Sequence, residues 1–503
     1  MQSYYEFSPL DEVIPPLYFA YILAFESSPN CRNTEQFFAN LNNGLLRLVE
    51  DYPFLSGEIT RDRSHTLRAG HLTLSISTPP EEIQIVKKDL RLPGSGWKDS
   101  YEELRKAGMP SSRLDARILA PLAAGVCTTR RVMSAQVNFI PGGTLLSVCF
   151  SHAFVDARGA SIIIGLWAKI CKSLQQDPSP NGETEPSRNG EKPTILKAQR
   201  LEADYEKLKT QPELWKLLGL DWKERPKPQK GALMFELPLV IPAAAPTAVG
   251  SGSSKVETQI FSFSTETSKK LKERATLKDS WHAEGNWISS NDALVAFLWQ
   301  HIMRARFRSR PANSSASRFL QEESIVTVAI DGRKGLSVPE NYIGNVVFCS
   351  MSSLSIGTLV ASETGLPQLA QVVRQSVNKG RTTAFLTSAF ALASCIPENV
   401  IRSLRYGFTD FVGKDLVTTS WVDLPFYEMD WGQAFGTGGY IDFFRMPRGQ
   451  FEGICCMQPR RKDGTIEVVV GMKREHMGRL MDDEEFTRFA AVVGEQKTSG
   501  TWS

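Results

Sequence analysis

The chain of 503 residues holds no run of about 20 apolar residues, the length needed to cross a bilayer as a helix. Its longest candidate, around Leu233 to Pro246, is interrupted by Glu236, Pro238 and Pro242. No membrane partner is expected. Glu6, Asp11 and Glu12 precede any Lys or Arg, which does not fit the basic opening of a signal peptide, so a cytoplasmic protein is expected. Excess charge is also missing. With 58 Lys and Arg against 55 Asp and Glu, the formal charge is +3, too small a field to draw in nucleic acid. The eight cysteines (31, 127, 149, 171, 349, 395, 455 and 456) form no CxxC and no framework spacing, so reduced thiols are expected. Six histidines, none in HExxH or HxH form, leave no expected metal site.

What is there is ordinary globular composition: 42% hydrophobic and 22% charged residues, enough for sizeable cores and two or three domains. Strands and helices interleave. Tyr18 to Phe25 reads as a strand. Leu41, Leu45 and Leu48 recur at helical spacing and stop at Tyr52-Pro53. Gln136 to Ile140, a Pro-Gly-Gly turn at 141–143, and Thr144 to Phe150 predict a β-hairpin. A helix through Ile162, Ile163, Leu166, Trp167, Ile170 and Leu174 should follow.

Gln175 to Pro193 has the composition of a solvated loop, and Ile241 to Lys255 that of a linker. The expected division is therefore a lobe over 1–240, a linker over 241–255 and a second lobe over 256–503. In the second half, Phe261 and Phe263 predict a strand and a polar helix follows through Leu271. Asn291 to Arg306 predicts a helix capped by Asn291, with Leu294, Phe297, Leu298 and Ile302 on one face. Ile325 to Ile330 and Ile466 to Val470 predict strands, the first ending at the turn Asp331-Gly332-Arg333. Without strict βαβ alternation, a mixed α/β architecture in two lobes is expected.

The sharpest local feature is His152-Ala-Phe-Val-Asp156, between the hairpin and the following helix. A strand that ends there delivers its last side chains to a crevice, and an imidazole titrates near neutrality, as a general base must. Asp156 four residues on can fix the turn without touching a substrate. On its own the pattern is weak, since six histidines give roughly 0.3 accidental matches. A strand-end histidine followed by a helix-capping Asp156 is the competing reading. Cys149, beside Ser151 and His152, invites a Cys–His nucleophile. Its apolar strand neighbours make it read as a buried, inert thiol. Ser151 is not in a GxSxG elbow.

Further segments appear in order along the chain. These are Ser8-Pro9-Leu10-Asp11 with Pro15, Tyr52-Pro53-Phe54-Leu55-Ser56-Gly57, the strand and turn Gln136 to Gly143, and Asp292-Ala293-Leu294 with Trp299. Then come Asp331-Gly332-Arg333, Tyr342-Ile343-Gly344-Asn345, and Ser420-Trp421 with Leu424-Pro425 ahead of Asp430-Trp431-Gly432. With His152 and Asp156 they resemble the BAHD family of acyl-CoA-dependent acyltransferases, fungal secondary-metabolism members in particular, over nearly the whole chain. Two departures stand out. The Gly that follows the motif's Asp in the family is Ala157 here, with Gly159 two further on, and the family's DFGWG is reduced to Asp430-Trp431-Gly432.

The resemblance implies an α/β fold of the two-lobed, chloramphenicol acetyltransferase-like kind, with mixed sheets and a central tunnel. It implies acyl transfer, with acetyl the expected group, from acyl-CoA as co-substrate to the hydroxyl of a small molecule. His152 would be the general base, Asp156 structural, and Arg333 the candidate partner of Asp156. Thr419 and Trp421 would be oxyanion or wall residues, with ordinary core packing an equal reading for Trp421. Asp430, Trp431 and Gly432 would shape a structural turn. No residue is assigned to CoA, and Arg460-Arg461-Lys462 reads as a solvated turn or a phosphate contact. Two rivals remain. One is a condensation-type domain fed by a carrier protein, against which Ser151 replaces the first His of HHxxxDG; the other is a non-catalytic binding relative. A monomer is expected.

Overall fold

The structure, a computed structural model, describes residues 2–14, 17–27, 34–61, 72–120, 131–176, 200–220, 256–276, 287–307, 319–361, 364–397, 400, 413–447 and 452–494. The expected linker 241–255 and most of the expected loop 175–193 lie outside these residues, as do Pro15, Cys31 and Cys127. The strands are β1 (Gln2–Glu6), β2 (Tyr18–Glu26), β3 (Glu58–Arg61), β4 (Leu72–Ser77), β5 (Val86–Asp89), β6 (Met133–Ile140), β7 (Gly143–Ser151) and β8 (Val256–Phe263). They continue with β9 (Glu323–Asp331), β10 (Val347–Ser355), β11 (Leu416–Ser420), β12 (Phe443–Arg445), β13 (Ile454–Met457), β14 (Ile466–Lys473) and β15 (Ala491–Val492). The helices used below are α1 (Pro9–Val13), α2 (Thr34–Asp51), α3 (Tyr101–Lys106), α4 (Ala116–Leu119), α5 (Ala157–Gln176), α6 (Tyr205–Leu208), α7 (Pro212–Leu217), α8 (Thr265–Ala275) and α9 (Ser290–Phe307).

Two mixed sheets carry the molecule. A five-stranded sheet runs β12-β2-β7-β6-β5, a seven-stranded sheet runs β10-β9-β11-β13-β14-β8-β15, and a small antiparallel sheet, β1-β4-β3, stands beside the first. β7 lies between β2 and β6 and every one of its residues is buried, which is why its sequence is almost continuously apolar. The predicted hairpin is β6–β7, with Ile140 opposite Gly143.

One core cluster joins the five-stranded sheet to α2 and α5, and a second joins the seven-stranded sheet to α8 and α9. Here α9 departs from expectation twice. Every residue from Asp292 to Phe307 is buried, because the helix passes between the sheet and other helices rather than lying on the surface. Its amino end is capped by Ser289, not Asn291: Asp292 N donates to Ser289 Oγ at 3.1 Å and Ser289 N to Asp292 Oδ2 at 2.6 Å, a reciprocal box.

Each half of the chain lends segments to the other. Trp421, Phe426, Tyr427, Met429, Trp431, Phe435 and Phe444 belong to the first core cluster, and β12 pairs with β2 through Phe443 opposite Ala24. In return, Leu10 and Val13 of α1 and Leu214, Trp215 and Leu217 of α7 pack with Ile330, Tyr342, Val346 and Phe348. Arg445 locks the crossing. It is fully buried and bonded to Glu467 Oε2 at 2.7 Å and Oε1 at 3.1 Å, and it donates to the carbonyls of Gly108 and Met109. Arg461 stacks on Phe443 and lies 3.5 Å from Glu467, so part of the basic cluster at 460–462 is committed to this lock.

Replacing Arg445 with Ala leaves the Glu467 carboxylate buried without its main counter-charge. The expected loss of unfolding free energy is about 3–5 kcal/mol, measured by urea denaturation. A loss below about 1 kcal/mol, the scale of an exposed ion pair, would show that the lock is decorative.

Candidate active site

β7 ends at Ser151 and the chain turns at once. Phe154 N and Val155 N both donate to Ser151 O, at 3.1 and 3.2 Å, and α5 begins at Ala157. Asp156 caps that helix, its Oδ1 accepting from Gly159 N at 2.8 Å. His152 stands in the turn with both backbone polar groups held by other segments. Its N–H donates to Leu17 O at 2.7 Å, and its carbonyl accepts from Asn345 Nδ2 at 2.8 Å.

The imidazole is partly buried, and the Phe19 ring meets it edge-on at 5.3 Å. Its Nδ1 is sealed from solvent and has no hydrogen-bond partner. Burial lowers the His152 pKa below the ordinary value of 6.5, against smaller opposing contributions from the surrounding backbone, the Asp156 charge and the Asn345 side chain. The ring is therefore neutral at neutral pH, with a lone pair available.

Asp156 is fully engaged elsewhere. Arg333 Nη2 lies 2.9 Å from Oδ2 and 3.0 Å from Oδ1, and Val346 N donates to Oδ2 at 3.2 Å. Arg333 also donates to the carbonyls of Tyr342 and Gly344 and pairs with Asp331 at 3.1 Å. Burial works against the guanidinium charge, but the Asp156 and Asp331 carboxylates outweigh it and the Arg333 pKa is raised. The pair joins the two halves of the chain, and both Asp156 oxygens bond to Arg333 and backbone N–H groups rather than to the imidazole.

The loop that Arg333 organises presses on α5. A β-carbon on Gly159 would sit 2.0 Å from the Ile343 carbonyl oxygen, so the first turn of α5 can approach only because this residue has none. The glycine displaced from its expected place after Asp156 is thus required two residues later, for contact rather than for turning.

Opposite His152's sheet stands the seven-stranded one. Thr419 is in register with Cys456, Cys456 with Val469 and Val469 with Ile260, and the last three join the core around Tyr21 and Phe150. Thr419 shares that inward face and is partly exposed. Trp421 is buried, edge-on to Tyr21 at 5.2 Å and to Phe444 at 6.0 Å, so packing is its visible role. The Tyr21 hydroxyl is buried and unpartnered, and the sequence offers no hint of it beyond the alternation of β2.

Asp430, Trp431 and Gly432 lie against α5, away from Thr419's strand. Asp430 bonds Lys172 Nζ at 2.7 Å and accepts from Gly432 N at 2.9 Å, while Gln175 holds Trp431 O and Ala434 N. Gly432 adopts φ +85°, the left-handed region that favours glycine. Neither Lys172 nor Gln175 is marked by any motif. Cys149 leaves the opposite face of β7 from Phe150 and packs with Ala120, which removes it as a partner for His152.

A family model described as "Transferase family" matches residues 115–487, and one described as "Trichothecene 3-O-acetyltransferase-like N-terminal domain" matches residues 17–171. The chain is 39% identical to the eremophilane O-acetyltransferase prx11 of Penicillium rubens, over 97% of this chain and 99% of that protein. It is 27% identical to the trichothecene 3-O-acetyltransferase TRI101 of Fusarium sporotrichioides, over 91% and 90%. Among solved structures, F. graminearum TRI101 complexed with coenzyme A and T-2 mycotoxin superposes with a TM-score of 0.74 at 21% identity, covering 98% of this chain and 100% of that one. Vinorine synthase superposes with a TM-score of 0.56 at 14% identity, covering 98% and 95%. The shared fold is the expected two-lobed one with mixed sheets.

Two outcomes follow from this geometry. With His152 as the base proposed below, kcat/KM should fall as pH drops through its pKa; because burial lowers that pKa, the acid limb should lie below about 6.5. A limb centred above that value would contradict a buried neutral imidazole. Gly159→Ala should cost about 1–3 kcal/mol of stability, as overpacking does, and displace the 342–346 loop. Wild-type thermal stability in that variant would refute the close approach.

Proposed function

The chain belongs to the Transferase family, BAHD-type acyl-CoA-dependent O-acyltransferases, and we propose that His152 is its general base and a hydroxyl-bearing eremophilane-type compound its acceptor. Acyl-CoA is the co-substrate and a small-molecule alcohol the acceptor. The observation that carries the base assignment is the His152 ring itself: neutral through burial, only partly buried as a residue, and with Nδ1 sealed from solvent. Nε2 is then the nitrogen that meets the reactants.

An alcohol is too weak an acid to ionise beforehand at neutral pH, so its proton moves to Nε2 as its oxygen attacks the thioester carbon. The carbonyl oxygen becomes the tetrahedral oxyanion. The C–S bond then breaks as the oxyanion collapses, and the Nε2 proton passes to the departing sulfur. The products are the ester and free CoA thiol, and no acyl-enzyme is needed. Proton transfer of this kind contributes about 10²–10⁴-fold, and alignment of the two substrates supplies much of the rest.

In this reading the reactants reach His152 by a tunnel in the seam between the lobes, from opposite mouths. Thr419, on the inward face of the seven-stranded sheet, donates to the oxyanion. Trp421 packs the wall with Phe19 and Tyr21, an aromatic surface suited to an apolar alcohol. Asp156 with Arg333, and the turn Asp430-Trp431-Gly432, are scaffold. The protein acts as a monomer in two lobes divided near 241–255, with the exchanged segments closing the seam. No helix among the described residues is long and apolar enough to cross a membrane, and the working compartment proposed is the cytoplasm.

Release of free thiol from acetyl-CoA, with a hydroxylated eremophilane as acceptor and the product identified by mass, tests the reading. His152→Ala should lower kcat by at least about 10²-fold with the protein still folded. Transfer at near-normal rate by that variant removes His152 as base, and thiol release with no esterified product removes the acceptor class.

A further inference from the structure

Two of the ordered sequence segments, Ser8-Pro9-Leu10-Asp11 and Tyr342-Ile343-Gly344-Asn345, have no part in the chemistry just described. They meet beside His152. Asp11 Oδ1 accepts from Asn345 N at 2.9 Å and from Asn345 Nδ2 at 2.8 Å, and its Oδ2 accepts from Ser8 N at 3.0 Å within the capping box of α1. Asn345 Nδ2 spends its other hydrogen on the His152 carbonyl at 2.8 Å. Asp11 and Asn345 are buried, Ser8 and His152 partly so, and Asn345 Oδ1 is buried without a hydrogen-bond partner.

That orphan oxygen is informative. An amide free to choose would turn so that both its ends were satisfied. Asn345 instead faces two acceptors, the Asp11 oxygen that already takes its backbone N–H and a peptide carbonyl, and must present its NH₂ to both. Asp11 thereby sets the orientation of the amide, and the amide holds the peptide that follows the His152 α-carbon. Leu17 O holds the peptide before it. Both polar groups that flank the imidazole's point of attachment are fixed from outside the turn.

We propose that Asn345 is a positioning residue for the acyl-transfer base, acting through the His152 carbonyl and itself oriented by Asp11; this rests on His152 being that base. Displacement of a reacting group by about 1 Å can cost about 10²-fold in rate, so a clamp on this peptide is worth rate even though it touches no substrate.

The test compares kcat, KM for acetyl-CoA and thermal midpoint in Asn345→Ala, Asn345→Ser, Arg445→Ala and His152→Ala. Asn345→Ala should lower kcat about 10²-fold with KM for acetyl-CoA little changed. Asn345→Ser keeps a hydroxyl but is too short to bridge Asp11 and His152 O, so it should do the same. Arg445→Ala is the stability control, because it lowers the thermal midpoint from a site that makes no contact with the turn. Its kcat should stay near wild type while that of Asn345→Ala falls, a split that a purely structural role would not produce.

An equal fall of kcat in Arg445→Ala would overturn the proposal, and so would an Asn345→Ala enzyme within about 3-fold of wild type. If Asn345→Ala does not fold, Asn345→Ser decides in its place. A fully active His152→Ala enzyme would instead overturn the base assignment on which the inference stands.

Discussion

A carboxylate and a guanidinium buried together hold the turn between β7 and α5 in place. Asp156 and Arg333 come from opposite halves of the chain, and neither keeps appreciable contact with water. Isolated, either charge would be expensive to bury; paired, and with the remaining lone pairs and protons met by Gly159 N, Val346 N and the carbonyls of Tyr342 and Gly344, they form a closed set. The direction of the turn after β7, the start of α5 and the seat of the 342–346 loop all depend on that set.

This arrangement changes how the HxxxD pattern should be understood. In a Ser–His–Asp triad the carboxylate orients the imidazole and stabilises its cation. Here both Asp156 oxygens are taken by Arg333 and backbone N–H groups, and Nδ1 of His152 has no partner. The histidine is kept neutral by its surroundings, and its attitude is set by backbone bonds on either side of it. In its proposed role the ring depends on burial and placement more than on an electrostatic assistant.

Local elements were legible in the residues themselves: the β6–β7 hairpin, the helices around Leu41 and Ile163, and the His152 turn follow from periodicity and turn chemistry. The pairing of Asp156 with Arg333 could be named only because a family resemblance put the two segments in one frame. What stayed hidden was hidden for identifiable reasons. The Ser289 cap was overshadowed by Asn291, which is closer to the first apolar residue, although Ser289 and Asp292 have the spacing of a reciprocal cap. The bond from Asn345 to His152 O involves a backbone atom, and sequence patterns carry no mark for that. The packing of 421–446 on the first sheet escaped because its apolar residues would suit either core equally well.

The strand β12 carries a consequence for how the protein is made. It closes the open side of β2, with Phe443 to Arg445 lying against Ala24 to Ile22, yet it is translated long after that sheet's other members. While synthesis is under way, β2 is an unclaimed border of N–H and C=O groups beside a bare aromatic surface, the kind of border to which stray strands adhere. A fragment that stops short of β12 therefore keeps that border open, and with it an edge for adventitious pairing.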